Sequence, residues 1–140
     1  MGNPPTVRLQ RDTVGIDWQE LITLFKLTKL GGREGDKVRR AFENSTATCF
    51  ALDGRRLVGA ARALSDREYH ATLYDVAVHP QYQRRGIGTR LVNELIAMLP
   101  VWRVLLIADG EAKEFYQRLG FETFENVMAR FDRGKLFDAS

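Results

Sequence analysis

A basic turn punctuated by glycine, Gln83-Arg84-Arg85-Gly86-Ile87-Gly88-Thr89, follows directly on the apolar run Val76-Ala77-Val78-His79-Pro80. Apolar and polar residues at helical spacing come next, starting at Ile87. A strand that enters a helix through such a turn suits a phosphate group. The first backbone N–H groups of a helix have no intrahelical partner, and the helix dipole adds partial positive charge there. Gly86 and Gly88 remove the side chains that would hold a bulky anion off the backbone, while Arg84 and Arg85 add fixed positive charge. Two other phosphate motifs are excluded by composition. No Gly-Lys-Ser or Gly-Lys-Thr occurs, which removes a P-loop, and Leu91 occupies the third glycine position of a dinucleotide fingerprint.

The elements that must position this turn alternate between strand and helix, without internal repeats. Val7–Leu9 is a short first strand. Asp17 caps a helix over Asp17–Leu30 that places Leu21, Leu24, Phe25 and Thr28 on one face and stops at Gly31-Gly32. A second helix covers Asp36–Asn44. Ala47–Leu52 and Arg56–Leu64 form a hairpin around Asp53-Gly54, and Tyr69–Val78 feeds the turn. Ile87–Leu99 is amphipathic and ends at Pro100; Val104–Ala108 reads as a buried strand. A last helix over Ala112–Leu119 stops at Gly120, and strands near Phe121–Phe124 and Val127–Phe131 close the domain. The expectation is one α/β domain over residues 1–140, a mixed sheet flanked by helices.

The Gln-x-x-Gly-x-Gly turn after Val-x-Val-x-Pro resembles the signature of the GNAT superfamily of acetyl-CoA-dependent N-acyltransferases. Ala112-Lys113-Glu114-Phe115-Tyr116-Gln117-Arg118-Leu119-Gly120-Phe121 is similar to that family's A-x-x-F-Y-x-x-x-G-F helix, in the expected order along the chain. Ala71-Thr72-Leu73-Tyr74-Asp75-Val76 and Ala108-Asp109 further resemble a small branch that includes arylalkylamine (serotonin-type) acetyltransferases. The resemblance implies the GNAT fold, with two parallel strands splayed apart near Val78 and Ala108. It also implies acetyl-CoA in that gap, with the backbone of Val76 and Val78 pairing with the pantetheine amides like an added strand and Ala77 between them as a further cofactor contact. The pyrophosphate then falls to the N–H groups from Gln83 through Arg84, Arg85, Gly86, Ile87 and Gly88 to Thr89. By itself, the Val-x-Val pattern fits any buried strand equally well.

Transfer needs a neutral amine and a stabilised leaving thiolate. An alkylamine has a pKa of roughly 10, so only about one molecule in a thousand is neutral at pH 7. A base or a desolvating pocket answers that need. Tyr116 matches the family's tyrosine and is the candidate acid toward the CoA sulfur, although a tyrosine beside Phe115 also suits simple packing. Asp75 is the candidate base: a carboxylate in an apolar strand is costly unless it has work or a partner. Its alternative is an ion pair with an arginine such as Arg62. His79 can be a base too, but its place before Pro80 favours capping. Asp109 stands where many relatives carry Asn against the pantetheine arm or substrate, and is kept as a cofactor contact; as an anion it would instead draw a cationic acceptor. Asp66, Glu68, Asp75 and Asp109 together would make an acidic mouth. Trp18, Phe25 and Leu30 would wall the acceptor pocket, or merely form core.

At 140 residues the chain is long enough for one domain, and its net charge of +3 suits a polyanionic cofactor, nucleic acid or no anionic partner equally. Its arginines are spread along the sequence, which disfavours nucleic acid, and Tyr82 with Arg84 and Arg85 is the one local hint of it. Cys49 is the single cysteine, which excludes a disulfide framework and a Cys/His metal site. Met1-Gly2-Asn3-Pro4-Pro5 lacks an apolar leader core and a good myristoylation context, and no apolar run is long enough to span a membrane. The expectation is a cytoplasmic enzyme with acetyl-CoA and a small amine acceptor as partners, no metal, no nucleic acid and no membrane. Dimerisation is left open. A non-catalytic acyl-CoA sensor and a peptide N-acetyltransferase remain alternatives.

Overall fold

The computed structural model describes residues 6–31, 33 and 35–135, so the expectations for Met1–Pro5 and the stop at Gly32 lie outside the described residues. Two compact units are present, residues 1–106 and 107–140.

In the first unit the elements run β1 (Val7–Gln10), α1 (Trp18–Leu27), α2 (Asp36–Glu43), β2 (Ala47–Asp53), β3 (Arg56–Ser65), β4 (His70–Val78), a 3-10 turn (Pro80–Tyr82), α3 (Ile87–Ala97) and β5 (Arg103–Leu105). The sheet order is β1-β2-β3-β4-β5, antiparallel throughout except for the parallel pair β4–β5. The mixed sheet with flanking helices is the expected α/β fold.

Asp17 caps α1 as expected, its Oδ1 accepting from the N–H groups of Gln19 (3.0 Å) and Glu20 (3.2 Å). The helix stops earlier than expected, because Lys29 takes the left-handed conformation (φ 66°) and Leu30 N–H reaches back to the Phe25 carbonyl at 3.0 Å. Leu21, Ile22, Leu24 and Phe25 of α1 pack with Val38 and Phe42 of α2 against Phe50, Leu52, Leu57, Ala60 and Ala77 of the sheet. Each large side chain buried this way stabilises the fold by about 1.5–3 kcal/mol. Trp18 and Leu30 pack on the same cluster and Phe25 is fully buried, so the apolar stripe is core.

On the other side α3 buries Ile87, Leu91, Val92 and Leu95. Gly59 lets it settle on the sheet: a Cβ there would meet Leu91 Cδ1 at 3.0 Å and Ala51 Cβ at 3.1 Å. The β2–β3 hairpin closes through Gly54 (φ 59°) and Arg55, as Asp53-Gly54 predicts.

The second unit holds α4 (Glu111–Arg118) and a 3-10 turn (Arg133–Lys135). Gly120 (φ 95°) ends α4 as predicted: its N–H bonds to the Gln117 carbonyl at 3.0 Å, and Phe121 N–H bonds to that of Tyr116 at 3.1 Å. The expected strands at Phe121–Phe124 and Val127–Phe131 do not form; these residues carry no ladder, and Phe124, Val127, Met128 and Phe131 are exposed. Apolar alternation gives a strand only where a neighbouring strand takes the hydrogen bonds. Likewise β5 is three residues long rather than the five of Val104–Ala108.

Candidate functional site

The β4–β5 ladder pairs His70 with Arg103, Ala71 with Val104 and Thr72 with Leu105, and then stops. On its other edge β4 stays paired with β3 as far as Val78, opposite Gly59. The parallel pairing thus ends at Thr72, and among the described residues no strand pairs with the β5-facing edge of β4 from Leu73 to Val78. Val76 and Val78 turn their backbone groups to that open edge, while those of Ala77 between them face β3, opposite Ala60.

A bulge sits at the head of the open edge. Between the pairs Ala60–Ala77 and Arg62–Tyr74, β4 contributes Asp75 and Val76 where β3 contributes Ala61. Asp75 absorbs the extra residue by adopting φ 58°, which short polar side chains tolerate better than apolar ones. Its carboxylate is 3% exposed. Oδ1 accepts from Arg33 Nη2 (2.5 Å) and Nε (3.1 Å), and Oδ2 accepts from Arg62 Nε (2.7 Å). The Arg62 guanidinium is enclosed in turn, 5.0 Å from the Tyr74 ring centroid and 5.8 Å from that of Phe42. Asp75 is therefore engaged on both oxygens, in the ion pair that stood as the alternative to a proton-accepting role.

Beyond Val78 the chain enters the turn. His79 caps the 3-10 turn, Nδ1 accepting from Gln81 N–H at 3.1 Å, while its Nε2 lies 3.3 Å from Arg56 Nη2. Desolvation and the Arg56 charge hold its pKa below the usual histidine value. Gln83 ties the turn to the strand end, Nε2 donating to the Val78 carbonyl at 3.0 Å. Arg84 and Gly86 both adopt positive φ, 64° and 80°. Gly86 is the N-cap of α3 and supplies no side-chain bond, so the first amides of the helix at Ile87, Gly88 and Thr89 have no cap of their own. A Cβ on Gly86 would meet nothing within 4 Å. Arg84, Arg85 and Gly86 are exposed. The result is an open, positively charged nest of backbone donors.

Tyr82 underpins it. The ring is buried, its hydroxyl donates to Asp53 Oδ2 at 2.5 Å, and the guanidiniums of Arg56 and Arg85 stand 5.3 Å and 5.5 Å from its centroid. It offers no face on which a base could stack.

In the second unit Tyr116 lies on α4 between Phe115 (centroids 4.9 Å apart) and Phe121 (5.7 Å). Burial pushes its phenol up to about 12, so the hydroxyl keeps its proton throughout the neutral range. Asp109 precedes α4, its carbonyl accepting from Ala112 N–H at 3.1 Å.

The acidic mouth does not assemble in the first unit. Asp66 accepts the N–H groups of Glu68, Tyr69 and His70 in the β3–β4 turn, at the opposite end of β4 from the bulge. A depression of about 410 Å³ lined by Arg11, Asp12, Phe42, Glu43, Thr48 and Met98, among others, contains none of the candidate residues. Cys49 is buried in β2, and desolvation pushes its thiol up to about 12, the opposite of a nucleophile's environment. No cluster of metal-ligating side chains occurs among the described residues. No helix among them is long and apolar enough to cross a membrane. Sequence reasoning missed Arg33, which sits among glycines and charges with nothing local to point across to β4.

Residues 45–123 match the acetyltransferase (GNAT) domain model. A ycf52 N-acetyltransferase of Gracilaria tenuistipitata var. liui is 34% identical over 123 residues, 79% of this chain and 68% of that protein. The chloroplastic serotonin N-acetyltransferase 2 of Oryza sativa subsp. japonica is 30% identical over 120 residues, 81% of this chain and 60% of that one. The chain spans only 28–31% of the length of three plant acetyltransferases that it matches over 71 residues at 44–45% identity. Among solved structures, a putative GNAT acetyltransferase of Xanthomonas campestris pv. campestris superposes with a TM-score of 0.80 at 26% identity, covering 98% of this chain and 100% of that one. With its short β4–β5 ladder and its glycine nest, the chain belongs to the GNAT family of acetyltransferases.

Proposed function

We propose that this protein transfers the acetyl group of acetyl-CoA to a small primary amine, with both substrates bound at once. The observation that carries the reading is the continuity of the open β4 edge with the uncapped, glycine-led start of α3. A linear ligand with amides at one end and a pyrophosphate at the other needs those two features in that order. Val76 and Val78 would pair with the amides, with Ala77 between them against the ligand, and Gln83 to Thr89 would hold the pyrophosphate. The donor supplies an activated thioester carbonyl.

The remaining chemistry falls to side chains. The amine nitrogen bonds to the carbonyl carbon, the C–S bond breaks, and the proton lost from nitrogen balances the thiolate released. Tyr116 is assigned as the donor to the departing sulfur. With a phenol near 12 against a thiol near 8.5, complete proton transfer to sulfur is uphill by about 5 kcal/mol. Its role is a hydrogen bond that stabilises the developing thiolate, the proton itself coming from the amine. Asp75, bonded by two guanidiniums, serves as a positioning residue. His79 uses Nδ1 in its cap, which leaves water and desolvation to provide the neutral amine.

The test is acetyl-CoA-dependent thiol release across arylalkylamines, polyamines, aminosugars and short peptides, with Tyr116→Phe alongside. Turnover on one class that falls about 10- to 100-fold in the variant supports the assignment. Acetyl-CoA binding with no release on any acceptor would leave an acyl-CoA-binding domain as the better description.

A further inference from the structure

The ion-pair group at the β4 bulge holds more described cations than anions. Two guanidiniums, Arg33 and Arg62, meet one carboxylate, Asp75, which leaves one positive charge among the described residues of the group. From this surplus we propose that Arg33 selects acceptors in which the primary amine carries an anionic group, carboxylate or phosphate, a few bonds away. The inference rests on the acetyl-transfer reading of the same site and names the acceptor class it favours.

The surplus is placed unevenly. The Arg62 side chain is 15% exposed, covered by the rings of Tyr74 and Phe42, and is committed to the interior. Arg33 is 38% exposed and comes from the segment between α1 and α2. It is braced at both ends: Nε and Nη2 bond to Asp75, and Nη1 donates to the Gly31 carbonyl at 3.2 Å. The outward charge of the group is therefore a guanidinium held in one orientation.

Its location gives this charge a use. Asp75 lies on β4 three residues past the last β5 pair, and the edge assigned to the donor, Val76 to Val78, begins at the next residue. An amine that approaches a thioester on that edge from the side of the segment between α1 and α2 would meet a fixed guanidinium. A guanidinium matches carboxylate and phosphate oxygens in charge and fork geometry, and being already ordered it loses little entropy on binding them. A simple ammonium acceptor is repelled there instead. Asp66 sits at the far end of the strand, its carboxylate taken up by the N–H groups of Glu68, Tyr69 and His70.

The experiment compares kcat/KM within matched pairs that differ only in the anion: tryptophan against tryptamine for carboxylate, and glucosamine 6-phosphate against glucosamine for phosphate. It uses the wild type, Arg33→Ala and Arg33→Gln. Either variant leaves the buried Asp75 paired with Arg62, so both should fold, which a thermal melt checks. The expected result is about a tenfold or greater preference for the anionic member of at least one pair, collapsing toward unity in both variants, with acetyl-CoA saturation unchanged. Equal turnover within both pairs, preference for the neutral members, or a preference that survives both substitutions overturns the proposal. If no amine is acetylated, the transfer reading fails for these acceptors, and the Arg33 inference is decided by titration. Indole-3-propionate and inorganic phosphate are added to the CoA-loaded protein. Binding of either that weakens about tenfold or more in Arg33→Gln upholds it; absent or unaltered binding overturns it.

Discussion

Replacing Asp75 separates two energies that the structure combines in one residue. The first is charge. Asp75→Asn leaves the enclosed Arg62 without its anion, and breaking a buried pair by removing one partner costs about 3–5 kcal/mol. The contact with the more exposed Arg33 adds only about 0–1 kcal/mol. The second is backbone. At φ 58° asparagine is tolerated, glycine is unstrained, and alanine pays about 1 kcal/mol. Asp75→Asn should therefore destabilise by about 3 kcal/mol, and Asp75→Ala by about 4. For a domain of this size that lowers Tm by about 10 °C and by a few degrees more, respectively. Urea titration and thermal melting of the two variants provide the assay, with Arg33→Ala as a control expected to cost less than about 1 kcal/mol. The reasoning is refuted if Asp75→Asn melts within a degree or two of the wild type. Equal loss in Asn and Ala would remove the backbone part, since only the left-handed conformation separates them.

Other expectations follow from the turn, the phenol and the thiol. Gly86→Ala should lose about 1 kcal/mol of stability from its φ of 80° alone, since the new Cβ meets nothing, and should weaken CoA binding by calorimetry. Wild-type kcat should show no falling alkaline limb from Tyr116 up to about pH 10, because its phenol is held near 12; a limb near 9 would contradict that burial. The Cys49 thiol is raised from 9.0 to about 12 in the folded chain, so above pH 9 the unfolded chain releases its proton first. That stability is fully present below pH 9 and is lost as pH rises toward 12. At pH 10.5 the loss is about 2 kcal/mol, read as a urea midpoint that falls further for the wild type than for Cys49→Ala.

Where one residue type settles a local conformation, the sequence was sufficient. Asp17 caps α1, Gly54 turns the β2–β3 hairpin and Gly120 ends α4 because each does locally what few other residues can. The glycine turn was legible for the same reason. What escaped depends on partners distant in sequence. Lys29 takes a left-handed conformation that no lysine advertises, and ends α1 before the glycines. The bulge at Asp75 follows from β3 and β4 being out of step by one residue, which neither strand shows alone. Arg33 is 42 residues from the carboxylate it binds. Residues 121–131 alternate like a strand, but alternation says which side chains share a face and nothing about who supplies the ladder.

The open edge of β4 also determines which experiments can detect it. A ligand read by N–H and C=O groups is indifferent to the side chains that separate them. Alanine substitution at Val76 and Val78 should therefore return packing defects and leave the proposed donor recognition nearly untouched. The informative substitutions are those that alter the main chain itself: proline, which deletes an N–H, or a semisynthetic ester, which weakens the carbonyl and removes the amide hydrogen. By the same argument, if this edge reads the donor as proposed, side-chain identity along it is a poor guide to whether a chain binds that donor.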